Sequence, residues 1–156
     1  AGCCMEAHPV GFVAAPEWLI GRVIALQQSI SCGASALDQN CALAALEERA
    51  QQEIDAIRRT VAANRERACR ALEAVPGLEV VRPAGGLSLL CGIAGFGMES
   101  ELFCDRLLRE EALEVLPGRE PGVEGFIGLA FACPAPSLEE AVGGLAAFAG
   151  RCFVKN

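Results

Sequence analysis

Apolar positions along the chain change period several times, and each change predicts an element. Gly11-Phe12-Val13-Ala14-Ala15 is a short apolar run closed by Pro16, like the end of a buried strand. From Pro16 the spacing becomes helical. A proline in a first turn followed by Glu17 is a helix start, and Trp18, Leu19, Val23, Leu26 and Ile30 keep one apolar face until Cys32-Gly33. Ser35, with Asp38 three residues on, forms a weak capping box for a second helix through Leu46. Glu47 to Val75 carries the clearest pattern, with Ala50, Ile54, Ile57, Val61, Ala68, Leu72 and Val75 at three- and four-residue steps. Its other faces are charged, and Asp55 to Arg59 and Glu66 to Arg70 are acid-before-base pairs one turn apart.

Beyond Pro76-Gly77 the period shortens. Leu78 to Arg82 and Leu87 to Ala94 read as strands around the turn Pro83-Ala84-Gly85-Gly86. A helix from Glu99 to Glu111 turns Leu102, Phe103, Leu107 and Leu108 inward. Leu113 to Leu116 is a third strand stopped by Pro117-Gly118, and Phe126 to Cys133 is a fourth. Ser137 and Glu140 form S-x-x-E at the start of a last helix with Leu138, Val142, Leu145 and Phe148 inward. Gly143-Gly144 inside that helix costs up to about 2 kcal/mol against Ala-Ala. The order is a strand end, helices, then ββαββα, so the fold class is α/β with an α+β small domain.

Composition narrows the chemistry. At 156 residues, 53% apolar and 21% charged, the chain can bury a real core without staples. It has neither a signal segment nor an apolar run near the roughly 18 residues of a membrane span, and a cytoplasmic location is expected. A net charge of −7 works against nucleic-acid binding, so the arginines of the long helix read as a solvated face. Tyr is absent, His8 is the only histidine and Lys155 the only lysine, which removes most general bases and Schiff-base amines. Nine cysteines include no C-x-x-C pair, so they read as small hydrophobes, and no metal site is expected. Thiol redox chemistry or zinc binding is the weaker alternative. His8 reads as a loop residue, Trp18 as packing and Arg119 as a solvated loop cation.

Several blocks resemble the C-terminal part of class I/II aminotransferases, the pyridoxal-phosphate enzymes of fold type I. Val10 to Ile20 resembles the step R-x-G-[FY]-x-x-A-P that follows the cofactor lysine. Ala74-Val75-Pro76-Gly77-Leu78-Glu79-Val80 resembles the link into the small domain, and Arg82-Pro83-Ala84-Gly85-Gly86-Leu87 its P-x-G-[GA]-x-F/L turn. Phe103 to Leu108 with Glu114 to Gly118 resembles the next helix and its v-x-P-G strand. Gly125-Phe126-Ile127-Gly128-Leu129-Ala130-Phe131 resembles the strand that reads G-[FY]-[IV]-R-[LI]-[SA]-[FY]. These blocks keep the family's order over nearly the whole chain.

The resemblance implies pyridoxal phosphate held on a lysine, and transfer of an amino group from an amino acid to a 2-oxo acid, in a homodimer. It also implies an arginine that clamps the substrate carboxylate and another on the cofactor phosphate. Position by position, the lysine's place falls at Ala1, the phosphate arginine's at Pro9 and the carboxylate arginine's at Gly128. None of the three can substitute chemically: alanine has no amine, proline no backbone donor and glycine no guanidinium. The rest of the family's active site would lie before Ala1. The expected organisation is a remnant of the large cofactor-binding domain over residues 1–46, a connecting helix over 47–75 and the small domain over 76–156. The expected function is that of a C-terminal fragment or degenerate copy, inactive alone and binding no cofactor by itself. The alternative is a non-catalytic dimerisation or partner-binding module.

Overall fold

The computed structural model describes residues 7–153. The described chain divides into two compact units, with the division between Ile57 and Arg58, inside the longest helix. In the first unit, α1 spans Glu17–Ser31 and α2 spans Ala36–Leu46. Pro16 is the residue before α1, with extended backbone (ψ 147°), so the helix starts one position later than a first-turn proline would place it. Cys32 (φ 55°) and Gly33 (φ 116°) close α1 with two left-handed residues. Ser35 caps α2, its Oγ accepting from the Asp38 N–H at 3.5 Å. Asp38 does not complete the box; its carboxylate is taken by His8, Nδ1 to Oδ1 2.9 Å.

The strand expected at Gly11–Ala15 is absent. No segment of the described chain pairs with it, and without a neighbour its ladder groups have no partners; Phe12 is 95% exposed. The apolar face expected for α1 forms, but neither α1 nor α2 buries a residue, and Trp18 is 69% exposed. Trp18 therefore packs into no core here.

The α3 helix runs from Glu48 to Glu73 and ends at Val75-Pro76-Gly77, where Gly77 has φ 87°. Its final turns bury Ala68, Cys69 and Leu72 in the core of the second unit. Two expectations for α3 fail. Ile57 is 45% exposed. The Glu66 carboxylate leaves Arg70 for Arg82 (3.1 Å), because Arg82 presents a fork that also grips Glu73 twice, at 2.6 and 3.0 Å.

Four antiparallel strands follow: β1 (Glu79–Val81), β2 (Ser88–Gly92), β3 (Leu116–Pro117) and β4 (Phe126–Ala130), in the spatial order β1-β2-β4-β3. With α4 (Ser100–Glu111) and α5 (Ala135–Cys152) they make the ββαββα unit, and the fold is α/β with a long helix leading into a small C-terminal domain. Period-2 alternation puts Leu89, Cys91, Ile127 and Leu129 on the core face. Phe103 fills the middle of this core, edge-on to Phe96 (5.2 Å) and Phe148 (5.0 Å).

Several element limits differ from expectation for identifiable reasons. The β3 strand is Leu116–Pro117 rather than the run from Leu113, because Leu113 and Val115 are held by packing on the core instead of by a ladder. The β4 strand ends at Ala130 rather than Cys133. There the buried Asn64 amide replaces a strand, its Nδ2 donating to the carbonyls of Phe131 (3.2 Å) and Cys133 (2.8 Å). The α5 helix opens at Ala135 behind Pro134, not at a Ser137 box, because Pro134 and Pro136 preset the first turn where no N–H is required. Leu102 and Leu108 are about half exposed (52% and 49%), leaving Phe103, Cys104 and Leu107 as the buried face of α4.

Candidate functional site

Gly128 sits in the middle of β4, paired with Leu90 of β2 on one side and Leu116 of β3 on the other. Its neighbours Ile127 and Leu129 face the core, so Gly128 opens onto the opposite face of the sheet. A cavity of about 670 Å³ lies there, with Gly128, Leu90 and Leu116 in its walls and the Gly85-Gly86 turn at its rim. Space at the glycine is ordinary: a Cβ placed on it would stand 3.5 Å from Leu116 Cβ and 3.9 Å from Leu90 Cδ2.

The cavity's electrostatics follow from its lining. Among the described residues no lysine, arginine or histidine lines it, and Glu120 is its one charged group. Three of its residues, Pro83, Pro117 and Pro121, bring no backbone N–H. The nearby cations are engaged elsewhere: Arg82 with Glu73 and Glu66, Arg65 with the Ala84 carbonyl (3.1 Å), and Arg119 with Glu101 (3.4 Å). Arg119 is thus a surface ion-pair partner, and its N–H donates to Ser100 Oγ at 3.3 Å.

The loop wall is built by two close approaches. Gly118 donates to the Phe126 carbonyl at 2.8 Å, and a Cβ on Gly118 would collide with the carbonyl oxygens of both Val123 and Phe126, so only glycine fits. Glu124 then reaches the N-terminus of α4, accepting from the Ser100 N–H (2.7 Å) and Ser100 Oγ (2.9 Å). Those two hydrogen bonds, the backbone one foremost, hold the Glu124 carboxyl below its ordinary range. Sequence reasoning missed both Glu120 and Glu124, since neither belongs to a motif.

Pro9 belongs to the first unit. It is exposed and borders a separate cavity of about 760 Å³ shared with Phe12, Ile20, Gly33 and Asp38, again with no cationic side chain. His8, tied to Asp38, borders a third cavity of about 580 Å³ with Cys41, Arg49 and Glu53, and Arg49 pairs with Glu47 at 3.0 Å. Ala1, Cys3, Cys4 and Lys155 lie outside the described residues. Burial pushes the Cys91 thiol up to about 12 and Cys104 up to about 11, which keeps both protonated and unreactive. Among the described residues no group of three metal-ligating side chains occurs, and no helix is long and apolar enough to cross a membrane.

Comparison with known proteins agrees with this architecture. The family model "Aminotransferase class I and II" matches residues 5–145. The chain is 29% identical over 141 residues to aromatic-amino-acid aminotransferase 2 of Thermococcus litoralis, covering 88% of this chain and 36% of that protein. It is 31% identical over 139 residues to the arginine–pyruvate transaminase of Pseudomonas aeruginosa, covering 88% and 35%. The crystal structure of an aromatic aminotransferase from Pyrococcus horikoshii superposes with a TM-score of 0.85 at 27% identity, over 94% of this chain and 40% of that one. An aspartate aminotransferase from Thermotoga maritima gives 0.79 at 25% identity, over 94% and 37%. The chain thus spans little more than a third of the curated relatives it matches. It belongs to the class I and II aminotransferases and corresponds to their C-terminal portion.

Proposed function

We propose that this chain is the C-terminal part of a pyridoxal-phosphate-dependent amino-acid aminotransferase and does not transaminate on its own. In this reading residues 1–46 belong to the large cofactor-binding domain, 47–75 link, and 76–156 form the small domain. The longer protein would be a cytoplasmic homodimer that moves an amino group from an amino acid to a 2-oxo acid. The observation that carries the reading is Gly128. It occupies the strand position where the family's carboxylate arginine is expected, and the cavity over it has no cation to replace that arginine. Around Pro9 the polar side chains Gln27, Ser31 and Ser35 line the cavity, but among the described residues no cationic side chain takes the place of the family's phosphate arginine, and Asp38 adds a like charge.

The test is to incubate the chain with pyridoxal phosphate, reduce with borohydride and map the label by mass spectrometry. No saturable label is expected at an internal residue. A saturable, stoichiometric label on Lys155 overturns the reading. The self-contained core of the second unit, drawn from residues 68–149, supports a second reading as a non-catalytic dimerisation or partner-binding module. A stable, soluble dimer in sedimentation equilibrium would favour that one.

A further inference from the structure

We propose that the cavity over Gly128 binds an apolar amine that carries no carboxylate. The proposal deepens the reading of Gly128 given above and rests on it for the location of the site only. Its argument comes from the lining. An anion entering this cavity would meet no cationic side chain, three prolines without an N–H and one carboxylate, so its charge would find no opposite charge to offset lost hydration. A cation meets the opposite situation. Among the described residues, the Glu120 carboxylate forms no ion pair or hydrogen bond, and it lines the cavity as its one charged group, of the sign that receives an ammonium.

The remaining wall is apolar and open. Val81 is 45% exposed and Leu116 60%, and with Leu90 and Leu87 they offer the body of a ligand a hydrophobic surface. The absence of a side chain at Gly128 keeps the floor low, and the ordinary contacts around its Cβ position show that this depth is not imposed by crowding. A volume of about 670 Å³ lies within the usual range for small-molecule sites. The ligand that satisfies both halves is a primary amine on an aromatic or aliphatic body, ammonium toward Glu120 and body against Leu90 and Leu116.

The experiment is a titration of the isotopically labelled chain, without cofactor, followed by backbone amide resonances. The probes are 2-phenylethylamine and 3-phenylpropionate, of matched size and opposite charge. The amine is expected to shift the amides of Gly85, Gly86, Gly118 and Gly128 with affinity on the order of millimolar, and the carboxylate to leave them in place. Glu120→Gln should weaken the amine roughly threefold, as for an exposed ion pair. Gly128→Arg should reverse the preference toward the carboxylate. Shifts at these amides that are equal or larger with 3-phenylpropionate overturn the proposal, as does their indifference to the amine. A Glu120→Gln variant that binds the amine unchanged also overturns it. Because no pyridoxal phosphate is present, such a failure leaves the borohydride result standing, and a label on Lys155 leaves the amine titration standing.

Discussion

Four glycines of the second unit differ in what a side chain would meet. Gly118 has backbone oxygens where a Cβ would go, so Gly118→Ala is expected to cost about 2–3 kcal/mol as the loop before β4 is forced aside. Gly143 lies within α5 with nothing near its Cβ position, so Gly143→Ala should stabilise by about 0.5–1 kcal/mol through helix propensity. Gly144 meets only Glu111 Cβ at 3.6 Å, so no close helix contact requires the pair. Gly128, unlike Gly143, has neighbours, but at ordinary contact distances of 3.5 Å and more. Urea unfolding of the two alanine variants checks the contrast: the midpoints should move in opposite directions with unchanged slopes.

At the scale of elements, α4 depends on a carboxylate from another part of the chain. Glu124 titrates near 4.5 when free and lower when it caps Ser100. A group depressed in the folded state adds stability above its unfolded value and loses it as pH falls through the folded value. Stability should therefore decline below about pH 4.5, and Glu124→Gln should flatten that decline. Glu73, held down by Arg82, and Glu110, held down chiefly by Arg106, contribute in the same direction and keep the variant's curve from becoming flat. Unfolding midpoints measured from pH 6 down to pH 3 test this.

The contrast with local signals shows what the sequence could disclose. Turns at Pro76-Gly77, Gly85-Gly86 and Pro117-Gly118 were legible because proline and positive-φ glycine act on their own backbone, and the order of elements followed from them. The Glu124 cap, the Asn64 amide closing off β4 and the Glu66–Arg82 pair were not, since each joins residues 16 or more positions apart. Of the residues in this cavity, the sequence singled out Gly128, through its resemblance to the family's strand. The cavity's character was not legible: the prolines and Glu120 come together only when β2, β3 and the loop after β3 fold onto one face.

Across the whole chain, burial is unevenly distributed. The core cluster is drawn from residues 68–149, whereas α1 and α2 bury nothing and Phe12, Trp18, Ile30 and Leu46 stand exposed. Hydrogen exchange on the intact chain should find the amides of α1 and α2 weakly protected and those of β2, β4 and the core face of α5 slow, by roughly two orders of magnitude or more. Equal protection in both units would contradict this. Room at Gly128 has a further, genetic consequence. Glycine and arginine codons differ by a single base, and a side chain there meets only ordinary contacts before the open cavity. Mutation can therefore exchange the two residues in one step, with the first atom of the new side chain meeting no clash.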